Sequence, residues 1–65
     1  MNDINESLKL RRVLAHLPQW RVAALAGIPQ PILSMIETGR RVPSQQLAQR
    51  IEDAIRQLAR EGGET

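Results

Sequence analysis

QWRVAALAGIPQPILSMI, residues 19–36, decides how the rest of this chain is read. Val22 and Ala23 are placed to face inward on a first short helix, and Ala23 is small enough to let a second helix cross close above it. Gly27 supplies the tight turn, since a residue without Cβ enters the left-handed region freely. Ile28 plugs the elbow, and Leu33 and Ile36 bury the second helix. Counted from Gln19, the fifth residue is Ala, the ninth Gly, the fifteenth Leu and the eighteenth Ile. Two short helices joined by about three residues at a steep angle form a helix-turn-helix.

Working outward, Pro and Gly cut the chain into helical stretches. A first helix is predicted over about Asn5 to His16, ending before Leu17-Pro18, and a second over about Gln19 to Ala26. A third spans Gln30 to Thr38 and stops at Gly39. A C-terminal helix over about 44–60 begins at Ser44, an N-cap residue, and carries the stripe Leu47, Ile51, Ala54, Ile55, Leu58. That stripe exceeds what one short partner helix covers, leaving the remainder for the first helix or for a dimer. Residues 61–65 are expected to fray. No stretch alternates with the period of a strand. The expectation is one all-α domain, residues 1–65, with the helix-turn-helix over residues 19–38.

At about 100° per residue, Leu33, Ile36 and Glu37 share one side of the third helix, and Pro31, Ser34, Met35 and Thr38 the other. Gln30 stands at its N-terminal end, where recognition helices meet base edges. A glutamine amide can bond adenine N6 and N7 together, and Met35 or the Pro31 ring can press on a thymine methyl. Ser34 suits a base or a phosphate, and Ile32, on the flank, suits either a methyl contact or the core. Gln30, Pro31, Ser34 and Met35 are therefore the candidate base readers. A neutral face favours discrimination, because cations there would add affinity on any sequence.

Net charge is +2, but placement matters more. From Lys9 to Arg41 there are six cations and one acid, Glu37, while Asp3, Glu6, Glu52, Asp53, Glu61 and Glu64 lie outside. A basic centre between acidic ends suits a polyanion on one face. Sixty-five residues without cysteine offer neither disulfide nor thiolate metal site. With no tyrosine and a single histidine, catalysis and metal binding have little to stand on, and no cofactor is expected. His16, closing the first helix, reads as a favourable partner for the helix dipole. No apolar run spans a membrane and no charged-then-apolar leader opens the sequence, so the bacterial cytoplasm, in association with the nucleoid, is the expected location.

The gap-free run LPQWRVAALAGIPQPILSMIETGRRVPS, residues 17–44, resembles the lambda-repressor-like helix-turn-helix family (Cro/repressor, xenobiotic-response-element type). The resemblance includes Gln19 opening the second helix, Ile36-Glu37-x-Gly39 closing the third, and Pro43-Ser44 opening the fourth. It implies a four- to five-helix DNA-binding domain. The implied function is a homodimeric transcriptional repressor on a palindromic operator in double-stranded DNA, with helix 30–38 in the major groove. The alternative is an antitoxin or helical interaction module that autoregulates its operon and holds a partner protein through its C-terminal helix. That reading needs the Leu47–Leu58 stripe exposed.

The resemblance also places Gln19 on a phosphate, bracing Gln30. Arg40 and Arg41 are placed to span the groove edge, with Arg21 and Thr38 assigned to the phosphates beside them. In the family the acid matching Glu37 pairs with an arginine near the end of the first helix. Gap-free alignment makes this Arg12, whereas a register set by the stripe Leu10, Val13, Leu14 would make it Arg11. The chain departs from the family pattern at Pro18 and Pro29, where Ser or Thr caps are usual, and at Leu25 and Ala26. Trp20, the only aromatic residue, reads either as a cover over the domain edge, which is preferred, or as a phosphate donor beside Gln19.

Overall fold

The computed structural model describes residues 4–62, with side chains from residue 7 to residue 61. It contains α1 (Ile4–Leu14), α2 (Gln19–Ala26), α3 (Gln30–Glu37) and α4 (Gln45–Gly62), with no strand among the described residues. The fold is all-α. Leu33, Ile36, Ile51 and Val22 are fully buried at its centre, ringed by Leu8, Leu17, Ala23, Ala26, Ala54, Ile55 and Leu58.

The first three helices end in the same way. A left-handed residue follows the last turn, and the next N–H reaches back across six residues to a helix carbonyl. At α1 the Leu17 N–H donates to the Arg12 carbonyl (3.1 Å) and the His16 N–H to that of Val13 (3.0 Å). At α2 Ile28 donates to Ala23 (3.0 Å) and Gly27 to Ala24 (3.2 Å). At α3 Arg40 donates to Met35 (2.9 Å) and Gly39 to Ile36 (3.2 Å). Gly27 and Gly39 take the positive φ (78° and 81°), but at α1 the residue in that role is His16, at φ 60°. Hence α1 stops at Leu14, two residues before the predicted end, and α3 stops at Glu37 with Thr38 as its cap. The positive φ is what calls for Gly27; a Cβ there would also come within 2.7 Å of the Arg50 guanidinium and displace the flexible end of that side chain. That guanidinium donates to the Ala26 carbonyl at the end of α2.

Pro18 and Pro29 occupy the N-caps of α2 and α3 with extended backbone, φ −73° and −63°, which the proline ring favours and an N-cap requires. Neither provides a side-chain cap. In α3 the loss is small. The second helical residue is Pro31, which has no N–H to cap, and the Ile32 N–H turns to the Pro29 carbonyl (3.0 Å). α4 is capped conventionally, the Ser44 hydroxyl accepting from the Leu47 N–H (3.0 Å). It runs two residues beyond Arg60, through Glu61 and Gly62, and the remaining residues of the stretch expected to fray, 63–65, lie outside the described residues.

The register of α1 contradicts its apolar stripe. Leu10, Val13 and Leu14 are exposed, whereas Leu8 is buried and Arg12 and Ala15 are half-buried beneath it. Arg12 therefore points into the domain and meets Glu37, the only buried charged residue among those described. Its Nε and Nη2 donate to the two carboxylate oxygens of Glu37 (2.6 and 2.8 Å), and Nη1 to the Leu17 carbonyl (2.8 Å). Arg11 lies outside and pairs with Glu52 of α4. The α4 stripe is turned inward on α1 and α2: Ile51, Ala54, Ile55 and Leu58 are buried and Leu47 packs against the core.

Two stability outcomes are expected. Replacing His16→Gly removes the left-handed penalty of a side chain and should stabilise the domain by about 0.5–1 kcal/mol, a rise of a few degrees in the thermal midpoint. An unchanged or lower midpoint would mean that the imidazole makes a compensating contact. Replacing Glu37→Gln leaves the Arg12 guanidinium without its counter-charge and should cost about 3–5 kcal/mol, enough to unfold most of a domain this size. Far-ultraviolet circular dichroism against urea measures it, and a destabilisation below about 1 kcal/mol would contradict the assignment.

Candidate nucleic-acid interface

The ion pair is the root of a chain of polar contacts that ends at the N-terminus of α3. The Gln19 amide nitrogen donates to Glu37 (2.9 Å), and the Gln19 amide oxygen accepts from the Gln30 amide nitrogen at 3.4 Å, the long end of the range. Gln19 thus fixes which end of each amide faces where. Once bridged, Gln30 keeps its amide oxygen and one N–H unengaged, the donor and acceptor that an adenine edge requires. Gln19 likewise retains one amide N–H.

Gln30 and Pro31 are exposed, and Ser34 and Met35 are half-buried on the same outward side, opposite buried Leu33, Ile36 and Glu37. These four form one short neutral face. Ile32, left open between methyl contact and core, packs against the core. Both Gln30 and Pro31 stand in the first turn, where the proline ring costs no hydrogen bond.

Arg40 and Arg41 are held at the other end of α3 by their backbones. The N–H groups of both converge on the Met35 carbonyl (2.9 and 3.2 Å). Their side chains are exposed, and neither takes part in an ion pair among the described residues. Two solvated cations are therefore pinned at the root, one turn from the half-buried thioether of Met35.

Two of the residues assigned to phosphates stand differently. Arg21 lies on the side of α2 toward the end of α4, 4.0 Å from Glu61, away from the contact between Gln19 and Gln30. Thr38 is exposed, but its hydroxyl already faces the carbonyls of Ser34 (3.0 Å) and Met35 (3.2 Å), so donation to a phosphate would require it to turn away from both. Trp20 does not cover the domain edge: it is 61 % exposed. Leu25 is also exposed, and Ala26 is buried against α4 beneath Arg50. The role of Arg50 in closing α2 is not legible in the sequence, where it reads as one more solvated cation on α4.

Among the described residues no group of three or more His, Cys, Asp or Glu side chains is placed to hold a metal, and no helix is long and apolar enough to cross a membrane.

A family model described as helix-turn-helix matches residues 8–57, more than half of the chain. The match begins at the buried Leu8, takes in the ion pair, α2, α3 and the arginine loop, and ends within α4. No curated protein and no solved structure matches the chain. The matching family is one of DNA-binding regulatory domains of the Cro/repressor type. The chain belongs to this lambda-repressor-like helix-turn-helix family.

Proposed function

We propose that this protein is a sequence-specific transcriptional repressor that binds a palindromic operator as a homodimer, with α3 in the major groove. The observation that carries the reading is the division of labour around α3: a neutral outward face of Gln30, Pro31, Ser34 and Met35, with the cations Arg40 and Arg41 fastened just beyond its end. Base edges are discriminated by hydrogen bonds and apolar contacts, whereas phosphate contacts add affinity on every sequence. In this reading Gln30 bonds an adenine, Met35 and Pro31 meet thymine methyls, and Ser34 reads a base or a phosphate. Gln19, Arg40 and Arg41 hold the backbone; the displacement of Arg21 toward Glu61 leaves it a minor part.

The exposed stripe Leu10, Val13 and Leu14 supports a second copy, because a chain of this size gains most from sharing apolar surface. The antitoxin alternative is disfavoured. The Leu47–Leu58 stripe it needs is buried within the chain, so a foreign helix would have to displace α1 and α2 from it.

Selection of duplexes from a random-sequence library, followed by titration of the winners and of random duplex against salt, tests the whole reading. A dyad-related pair of half-sites about 34 Å apart supports the homodimer, and a single half-site overturns it. Equal affinity for selected and random duplexes overturns the regulator. Two variants separate reading from grip. Gln30→Ala should relax preference at one base pair in each half-site, costing about 1–3 kcal/mol there. Arg40→Ala should leave the preferred sequence unchanged and lower the slope of log affinity against log salt by about 0.9 for each phosphate that Arg40 neutralises. Uniform weakening by Gln30→Ala would reassign that residue to the backbone.

A further inference from the structure

Trp20 is the largest and most exposed of the apolar side chains on α2 that the fold leaves uncovered. It is 61 % exposed, although burial of an indole ranks among the larger contributions a single side chain makes to stability. Its place on the helix is definite. With Gln19 as origin, Trp20 lies about 100° round, Ala24 about 140°, Arg21 about 200° and Leu25 about 240°. Arg21 reaches toward Glu61 of α4, and Leu25 lines a shallow groove with Arg50, Asp53 and Gln57 of α4, so that half of the helix faces α4. Val22, Ala23 and Ala26 fill the core. Trp20 and exposed Ala24 occupy the remaining flank, which opens beside the Gln19–Gln30 contact at the start of α3.

We propose that Trp20 is a DNA-backbone contact: its indole N–H donates to a phosphate oxygen and its ring lies along the adjoining deoxyribose, fixing the distance at which α3 enters the groove. The inference rests on the DNA-binding reading above and adds to it a residue that reads no base. The indole is donor-only, which suits an acceptor-only phosphate. Phosphate and sugar contacts set register without carrying sequence. A protein partner is the less suited occupant, because docking patches are contiguous and apolar. On its own flank Trp20 is followed only by the methyl of Ala24, while Leu25 points round toward α4. The contact is neutral, so it should add affinity without adding to the salt dependence, unlike Arg40.

Because Trp20 is the only tryptophan, its fluorescence reports this position alone. The experiment titrates the wild-type protein with selected and random duplexes while following emission, then repeats the binding isotherms with Trp20→Phe and Trp20→Ala. The expected result is an emission change on binding both duplexes. Trp20→Ala should bind both duplexes about five- to tenfold more weakly, and Trp20→Phe should fall between it and wild type, at an unchanged salt slope. Thermal midpoints of the free variants should match the wild type, which a purely structural role would not allow. If the wild type binds selectively while emission stays fixed and Trp20→Ala binds as tightly, the proposal is overturned and the DNA reading stands. That outcome would place the exposed indole outside the DNA interface. If the wild type binds both duplexes equally, the sequence-specific regulator reading falls while the backbone contact is still decided by the emission change and by Trp20→Ala; if it binds neither duplex, the inference falls with the DNA-binding reading.

Discussion

A single buried carboxylate holds this domain in register. Glu37 lies at the end of α3, and both of its oxygens are taken by the guanidinium of Arg12 from α1, which in turn bonds the carbonyl of Leu17 in the linker to α2. Gln19, the first residue of α2, adds its amide to the same carboxylate. Three helices therefore share one anion whose side chain is only 2 % exposed. Such a group tolerates no partial solution: either its lone pairs are filled or the burial is strongly unfavourable. The angle between α2 and α3 is set by apolar contacts of Val22, Ala23, Leu33 and Ile36, but their rotation relative to α1 is set here. One further bond links this structural centre to Gln30, so the orientation of the proposed reading amide follows from the same carboxylate.

Much of the helix-turn-helix was legible because its signals are local. Gly27 and Gly39 mark reversals that need positive φ, and Leu33, Ile36 and Glu37 repeat at helical spacing on one side of α3. The end of α1 was not legible, because a histidine in the left-handed region looks from sequence like an ordinary helix terminus. Its register was ambiguous for a deeper reason. Periodicity identifies an apolar stripe without saying what covers it, and the inward row of Leu8, Arg12 and Ala15 contains a charge that belongs inside only once Glu37 is there. The exposure of Trp20 and the reach of Arg50 to α2 are likewise tertiary facts, invisible to any window of neighbouring residues. The paired prolines make sense only together: Pro29 withholds a cap, and Pro31 removes an N–H that would have used it.

Under the proposed function, separating the neutral residues assigned to base reading from the cations assigned to the backbone also solves a positional difficulty. Arginine side chains are long and retain much rotamer freedom, so cations on α3 itself would compete with the readers for the groove. Placing Arg40 and Arg41 after the Gly39 reversal, with both backbones tied to the Met35 carbonyl, keeps the side chains adaptable while their origin is fixed by the helix they follow.

The three six-residue reversals carry a kinetic consequence. Each is closed by hydrogen bonds within its own turn, so the chain can change direction at residues 16, 27 and 39 before any distant contact exists, and the loop entropy of doing so is small. What remains is for short helices to form and dock together through contacts that are mostly close in sequence, a topology associated with folding in microseconds to milliseconds. A chain of 65 residues with no covalent staple gains little margin against unfolding. Its protection lies instead in the short time for which each excursion leaves the core open.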